Sequence, residues 1–164
     1  MEYRAKRQQL FEEKVIKRCR GLKTIFIFIS KGDEIKTHNI IRKLLNNHKK
    51  VVVPICIISN KTMILSEIKE FRESQFIKSS FGILEPYEHE IIPINKKDID
   101  IFFVPGTMFD MAGNRKGRGM GFFDRFLTDI KDEKPIIGLC HHWQYQKSIK
   151  HEDWDVAVDE VIHD

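Results

Sequence analysis

The sequence is poor in the features that mark secreted, zinc-binding and membrane proteins. It has three cysteines among 164 residues and no CxxC pair, which argues against a disulfide framework and against a cysteine-ligated zinc site. Its longest apolar runs, residues 25–29 and 51–58, are too short to cross a bilayer. The N-terminus is charged and has no apolar signal core. We therefore expect a protein of the reducing cytoplasm with no membrane contact.

A strong charge of one sign is also absent. The chain carries 28 Lys and Arg residues against 24 Asp and Glu residues, a formal net charge of +4. This balance is compatible with a phosphate, a polyanionic cofactor or nucleic acid, and it does not choose among them. The basic residues near the N-terminus are interpreted as a solvated helix face, because nucleic-acid binding favours interleaved exposed aromatics or a higher charge. We expect no nucleic-acid partner.

The apolar residues, in contrast, are plentiful and clustered. Hydrophobic residues make up 41% of the chain and charged residues 32%, an ordinary balance for one globular domain. Short apolar runs that read as buried strands alternate with stretches of helical spacing. The predicted strands are residues 25–30, 51–58, 99–104, 135–140 and a short one within 155–162, and the predicted helices are residues 3–19, 37–45 and 121–130. This alternation predicts a single α/β domain over residues 1–164, with a mostly parallel central sheet flanked by helices in a Rossmann-like three-layer arrangement.

The densest chemical signal is the stretch 113–125. Three glycines alternate along it and three basic residues flank them: Gly117, Gly119, Gly121, Arg115, Lys116 and Arg118. Glycines let backbone amides approach a ligand closely, and the start of the predicted helix favours negative charge. The stretch therefore predicts a polyphosphate cradle. A flexible basic turn is the alternative, because the loop is neither a Walker A loop nor a GxGxxG fingerprint.

The order of residues around this loop is more specific than its composition. Pro105-Gly106-x-x-Phe109-Asp110 is followed by Gly-x-Arg-x-Gly-x-Gly-x-Gly-Phe-Phe-Asp-Arg over residues 113–125. This order resembles the signature of the 5-formyltetrahydrofolate cyclo-ligase family. The resemblance continues, in colinear order, through residues 27–37, 51–54, 81–86 and 154–159, and so covers nearly the whole chain.

The resemblance implies an enzyme and its ligands. Family members use ATP and Mg²⁺ to cyclise 5-formyltetrahydrofolate to 5,10-methenyltetrahydrofolate, with release of ADP and phosphate. Arg118 would be the catalytic residue, in reach of both the phosphate and the formyl group. The residues that would contact ATP are Arg115, Lys116, Gly117, Arg118, Gly119, Met120, Gly121, Phe122 and Phe123. Those that would contact the folate are Ile29, Glu34, Met63, Phe81, Arg118 and Phe123, and those that would hold Mg²⁺ are Asp124 and Asp159.

Plainer interpretations exist for several of these residues. Glu34 also fits a solvated turn, and the apolar members of the folate set also fit an ordinary core. Asp159 also fits a surface charge near the end of the chain. Without the resemblance, the plainer interpretation of Glu34 would be preferred.

The sequence also departs from the family. Residues 3–19 correspond to the second helix of the family, so the first helix, with its phosphate-contacting basic residues, has no counterpart in the resemblance. Lys116 stands where leucine is usual, and Phe123 where tyrosine is common. These departures leave open a degenerate, non-catalytic member that binds nucleotide or folate, and more weakly an RNA-binding protein. We expect the active form to be a monomer.

Overall fold

A computed structural model describes all residues 1–164, and its centre is a seven-stranded sheet. With strands numbered in chain order, the spatial order is β12 (Glu160–His163), β10 (Ile136–Cys140), β7 (Ile101–Val104), β1 (Thr24–Ile27), β2 (Lys50–Ile57), β3 (Thr62–Ile68) and β6 (Ile92–Pro93). The first five are parallel to one another, and β3 and β6 are antiparallel additions at one edge. The predicted mostly parallel sheet is confirmed.

Three helices and two small sheets surround it. The helices are α1 (Glu2–Arg18), α2 (His38–Asn46) and α3 (Phe122–Leu127). One small sheet pairs β4 (Phe76–Lys78) with β5 (Leu84–Pro86). The other places β8 (Met108–Asp110) between β9 (Arg115–Lys116) and β11 (Tyr145–Gln146). None of the helices combines the length and apolar character that a membrane-spanning segment requires.

Alternating side chains of the parallel strands supply two separate cores. In β1, Ile25 and Ile27 point to the face covered by α1 and α2, where 20 buried residues pack together. Phe26 points to the other face, where 14 buried residues include Phe109 from β8 and Phe126 from α3. Since side chains along a strand alternate between faces, a fully apolar strand requires cover on both sides. The predicted three-layer arrangement is confirmed.

Two predicted elements end differently in the structure. The helix predicted over residues 121–130 covers only Phe122–Leu127, and the last strand, predicted within 155–162, is Glu160–His163 and extends one residue beyond that range. Residues before this strand use their backbone elsewhere: the N–H of Val156 donates to Asp124 and that of Val158 to Gly113. The backbone partners of this segment thus come from the loop region rather than from a neighbouring strand.

Candidate active site

A cavity of about 620 Å³ opens at the carboxyl ends of the central strands. Phe28, Ile29 and Glu34 line it from the chain that follows β1, and Pro105 and Gly106 line it from the chain that follows β7. Carboxyl ends of parallel strands meet at one edge of a sheet, and ligands of open α/β sheets bind there. The fold itself therefore brings these segments together.

The glycine loop, defined here as residues 115–124, forms the middle of the cavity. All nine residues expected to contact ATP, from Arg115 to Phe123, line it. Gly119 and Gly121 adopt left-handed backbone angles, with φ of +90° and +70°, which other residues rarely adopt. Gly121 is also the residue that caps α3. The alternating glycines thus turn the chain sharply between β9 and the helix.

The foot of the glycine loop, formed by Arg115 and Asp124, is buried. Arg115 donates from Nη1 to the carbonyl oxygen of Pro105 at 3.1 Å and from Nη2 to Oδ1 of Asp124 at 3.2 Å. Its guanidinium carbon lies 5.6 Å from the centre of the Phe123 ring. The Arg115 side chain is only 3% exposed. Arg115 therefore lines the cavity, but protein groups occupy the ends of its guanidinium.

Close packing at the foot of the loop also explains why residue 106 is a glycine. A Cβ atom at this position would lie 2.8 Å from a ring carbon of Phe109 and 3.0 Å from Cγ of Arg115. Both distances are shorter than ordinary contacts between carbon atoms. The Pro105-Gly106 pair is therefore required by the close approach of Arg115 and Phe109.

Two carboxylates tie the foot to the C-terminal part of the chain. Oδ1 of Asp124 accepts from the N–H of Val156 at 3.0 Å as well as from Arg115. Asp110 accepts four hydrogen bonds, from the backbone of Ala112, Asn114 and Ile149 and from the Asn114 side chain. Burial raises the pKa of Asp110, but these hydrogen bonds outweigh it and leave the pKa below its ordinary value. Asp110 thus remains charged and organises the chain that enters the glycine loop.

The tip of the glycine loop, Arg118, is exposed and weakly paired. Nη2 of Arg118 lies 3.4 Å from Oδ1 of Asp33 and 3.5 Å from Oε1 of Glu34. The Arg118 side chain is 50% exposed and that of Asp33 is 93% exposed, whereas that of Glu34 is 12% exposed. The other oxygen of Glu34 accepts from the N–H of Lys31 at 2.8 Å. The tip therefore reaches across the cavity to a carboxylate held in place by its own loop.

The wall beyond Glu34 is mainly apolar. Ile29, Phe81, Ile83, Pro54 and Cys56 line it. The Phe81 ring packs edge-on against Phe122 of α3, with centres 6.2 Å apart. This wall offers flat apolar surfaces next to a fixed carboxylate.

The surroundings of Cys56 favour its protonated thiol form. Burial raises the pKa of the Cys56 thiol to about 11. The charge of Glu85 adds to this increase, and the charge of Lys31 opposes it. The Glu85 carboxylate accepts from the N–H of Cys56 at 3.1 Å. Burial raises the pKa of Glu85 as well, and the hydrogen bond from Cys56 opposes that effect. Glu85, the acidic residue of the 81–86 segment, therefore stabilises this wall by its hydrogen bond to the backbone of Cys56.

Met63 and Asp159 lie outside the cavity. Met63 lies on β3, opposite Cys56 in the strand register, and packs against the second core. Asp159 uses Oδ2 to accept from the N–H of Ile136, at the amino end of β10. That end of the sheet is opposite to the edge at which the cavity opens. The structure therefore does not bring Asp159 and Asp124 together.

Few side chains of the types that bind metal ions lie close together in the structure. No group of three or more His, Cys, Asp or Glu side chains is arranged to hold a metal ion. The carboxylates of Asp124 and Asp155 do line the cavity. One or two carboxylates suffice for Mg²⁺ when substrate phosphates and waters complete its shell.

The sequence analysis did not predict one further wall of the cavity. We call residues 149–158 the C-terminal strap, and its members in the cavity are Lys150, His151, Glu152, Trp154 and Asp155. Backbone hydrogen bonds from its two ends and its middle reach Asp110, Gly113 and Asp124. Only the Trp154-Asp155 pair carried a signal in the sequence, as part of the resemblance at 154–159.

The chain is similar to known proteins along its length. The profile of the 5-formyltetrahydrofolate cyclo-ligase family matches residues 1–164. The 5-formyltetrahydrofolate cyclo-ligase of Haemophilus influenzae is 31% identical over 146 residues, which cover 87% of this chain and 76% of that protein. The mouse protein of the same name is 29% identical, and the match covers 99% of this chain and 85% of the mouse protein.

A solved structure shows the same fold. The 5,10-methenyltetrahydrofolate synthetase of Mycoplasma pneumoniae superposes with a TM-score of 0.75, over 99% of this chain and 87% of that one, at 21% identity. The fold and the profile match over residues 1–164 agree with one another. The chain belongs to the 5-formyltetrahydrofolate cyclo-ligase family.

Proposed function

We propose that this chain converts 5-formyltetrahydrofolate and ATP to 5,10-methenyltetrahydrofolate, ADP and phosphate, with Mg²⁺. The observation that carries the proposal is the position of Arg118. It lies at the tip of a glycine loop suited to phosphates and faces a wall made of Glu34 and apolar side chains. The relatives named 5-formyltetrahydrofolate cyclo-ligase support the same reaction.

The folate binds at the wall that contains Glu34. The Glu34 carboxylate accepts hydrogen bonds from the N–H groups of the pterin, because an ionised carboxylate binds paired donors strongly. Ile29, Phe81 and the neighbouring apolar side chains pack against the ring faces. Since the Glu34 side chain is 12% exposed and bound to the N–H of Lys31, its orientation is set before the ligand arrives.

The phosphates of ATP bind along the glycine loop. Backbone N–H groups between Gly117 and Gly121 and the side chains of Lys116 and Arg118 neutralise their charge. Arg115 lies buried at the foot of the loop, where it donates hydrogen bonds to Asp124 and to the Pro105 carbonyl oxygen. In this proposal it shapes the loop and does not contact a phosphate. Arg118 exchanges its weak contacts to Asp33 and Glu34 for the transferred phosphate and the formyl oxygen.

In the proposed reaction the enzyme orients two substrates and stabilises charge. The formyl oxygen forms a bond to the γ-phosphorus of ATP while the bond to ADP breaks. N10 of the folate then bonds to the formyl carbon and releases its proton to solvent, and phosphate leaves with the former formyl oxygen. Positioning and electrostatic stabilisation account for most catalysis of phosphoryl transfer.

The residues present fit a Mg²⁺ ion that binds together with the nucleotide. Asp124 and Asp155 would hold it, and the ion would neutralise phosphate charge. Oδ2 of Asp124 has no hydrogen bond within the protein, whereas Oδ1 is used by Arg115 and Val156. Asp155 replaces Asp159 in this proposal because it lines the cavity and Asp159 does not.

The direct test follows methenyltetrahydrofolate absorbance with purified protein, 5-formyltetrahydrofolate, ATP and Mg²⁺. We expect product only when ATP is present, with one ADP released for each product formed. Binding of both ligands without turnover would instead establish the non-catalytic alternative. We also propose that the active form is a monomer, which light scattering under assay conditions checks.

A further inference from the structure

The two tryptophans of the chain differ in their surroundings. Trp143 stacks on His141, with ring centres 4.1 Å apart, and meets His142 edge-on at 5.0 Å. Trp154 lies on the C-terminal strap, lines the cavity and is 71% exposed. No aromatic ring or cation of the protein packs on its faces.

The other aromatic rings of the cavity are already engaged. Phe81 and Phe122 pack on each other. Phe123 packs against Phe26 and Phe126 in the second core. Phe28, the remaining phenylalanine of the cavity, is 4% exposed and packs in the first core. Among the Phe and Trp side chains of the cavity, Trp154 is therefore the one whose ring faces remain available to a ligand.

The strap is held rigidly on one side of the glycine loop. The wall proposed to bind folate, which contains Glu34 and Phe81, is called the folate wall here. The glycine loop contacts it through Arg118 at the tip and through Phe122 of α3. It meets the strap through its foot, where Asp124 accepts from the N–H of Val156. A turn next to Trp154 is closed by hydrogen bonds between Glu152 and Asp155 in both directions. The folate wall and the strap thus lie at different ends of the loop.

The geometry of the proposed reaction directs the nucleoside towards the strap. The γ-phosphate must meet the formyl group next to the folate wall, so the β- and α-phosphates extend along the loop away from that wall. The nucleoside then lies at the foot of the loop, where the strap begins. Stacking of a nucleobase on an exposed aromatic ring is a common and sequence-tolerant contact.

We propose that Trp154 stacks on the adenine base of ATP and contributes a large part of the affinity for the nucleotide. The inference rests on the proposed function for its orientation of the phosphates. Lys150 and His151, which are exposed on the same strap, lie beside the ribose and the α-phosphate.

The experiment uses two ligands that differ in the base. Binding of ADP and of inorganic tripolyphosphate, both with Mg²⁺, is measured by calorimetry for the wild type, Trp154→Ala and Trp154→Phe. We expect Trp154→Ala to weaken ADP about tenfold and tripolyphosphate less than about twofold. Trp154→Phe should restore most of the loss. In the Trp143→Phe protein, whose remaining tryptophan is Trp154, ADP should quench the fluorescence and tripolyphosphate should not.

The outcomes separate this inference from the proposed reaction. Equal ADP affinity of the wild type and Trp154→Ala would overturn the stacking, even in an active enzyme. A higher KM for 5-formyltetrahydrofolate with unchanged ADP affinity would assign Trp154 to the folate instead and also overturn it. Trp154-dependent ADP binding without turnover would support the stacking and contradict the reaction. Absence of ADP binding to the wild type would contradict both.

Discussion

The foot and the tip of the glycine loop carry arginines three residues apart in opposite environments. Arg115 at the foot is 3% exposed and holds a carbonyl oxygen and a carboxylate of the protein. Arg118 at the tip is 50% exposed, and its two contacts to acidic residues are 3.4 and 3.5 Å long. The same residue type thus serves as framework in one place and, in the proposed function, as a ligand-binding group in the other.

This difference separates stability from activity within one motif. A buried ion pair becomes costly when one partner is removed, because the remaining charge has lost its solvation. An exposed and loosely held arginine has little packing to lose, and solvent screens its contacts. Substitutions at the foot should therefore change folding, and substitutions at the tip should change catalysis.

The largest effect is expected for Arg115→Ala. It leaves Asp124 mostly buried with only the N–H of Val156 as a partner, which should lower the free energy of unfolding by about 3 kcal/mol or more. Denaturant unfolding at neutral pH measures the change. A loss below about 1 kcal/mol with abolished ATP binding would show that Arg115 contacts phosphate after all.

Arg118→Ala should show the reverse pattern. Loss of a charge-assisted contact to the phosphate, worth about 1.5–3 kcal/mol, lowers kcat/KM by about 10- to 150-fold. The free energy of unfolding should change by less than about 0.5 kcal/mol. Steady-state kinetics and unfolding are measured on the same preparation. Turnover within about twofold of the wild type would remove Arg118 from the mechanism.

The two aspartates expected from the sequence to bind Mg²⁺ provide a third comparison. Asp124→Asn should raise the Mg²⁺ concentration needed for half-maximal activity by about tenfold or more. Asp159→Asn should leave it within about twofold, because Asp159 caps the amino end of β10 outside the cavity. Titration of activity with Mg²⁺ decides the matter. An equal rise in both variants would restore Asp159 to the ion site.

The smallest effect is expected for Asp33→Asn. Asp33 is 93% exposed and contacts only the tip, through Arg118. Removal of its charge should leave stability unchanged and alter the KM for ATP by less than about threefold, in the direction of tighter binding. The difference in KM between Asp33→Asn and the wild type should be smaller at moderate salt than at low salt, since salt screens exposed charges. A large loss of activity would show that Asp33 itself binds a ligand.

Local patterns in the sequence predicted most of the fold. The central strands β1, β2, β7 and β10 are mainly apolar, and each was placed within two residues of its observed start. The last strand was predicted only to lie within residues 155–162 and begins at Glu160. The left-handed turns at Gly119 and Gly121 also follow from the residue type. Helix ends were less predictable, because α3 stops at Leu127 within an otherwise helical pattern.

Within the site, the structure places the glycine loop and Glu34 along the cavity, buries Arg115 at the foot of the loop, and leaves Met63 and Asp159 outside the cavity. In the proposed function, the residue types of the motif determine where phosphates and a polar ring would bind, since few residues allow left-handed turns or carry fixed charge. Whether an arginine is buried or free depends on Pro105 and Asp124, which approach it only in the folded chain. The tertiary structure alone decided the burial of each charge and placed Trp154 on a wall of the cavity, because solvation depends on neighbours that are distant in sequence.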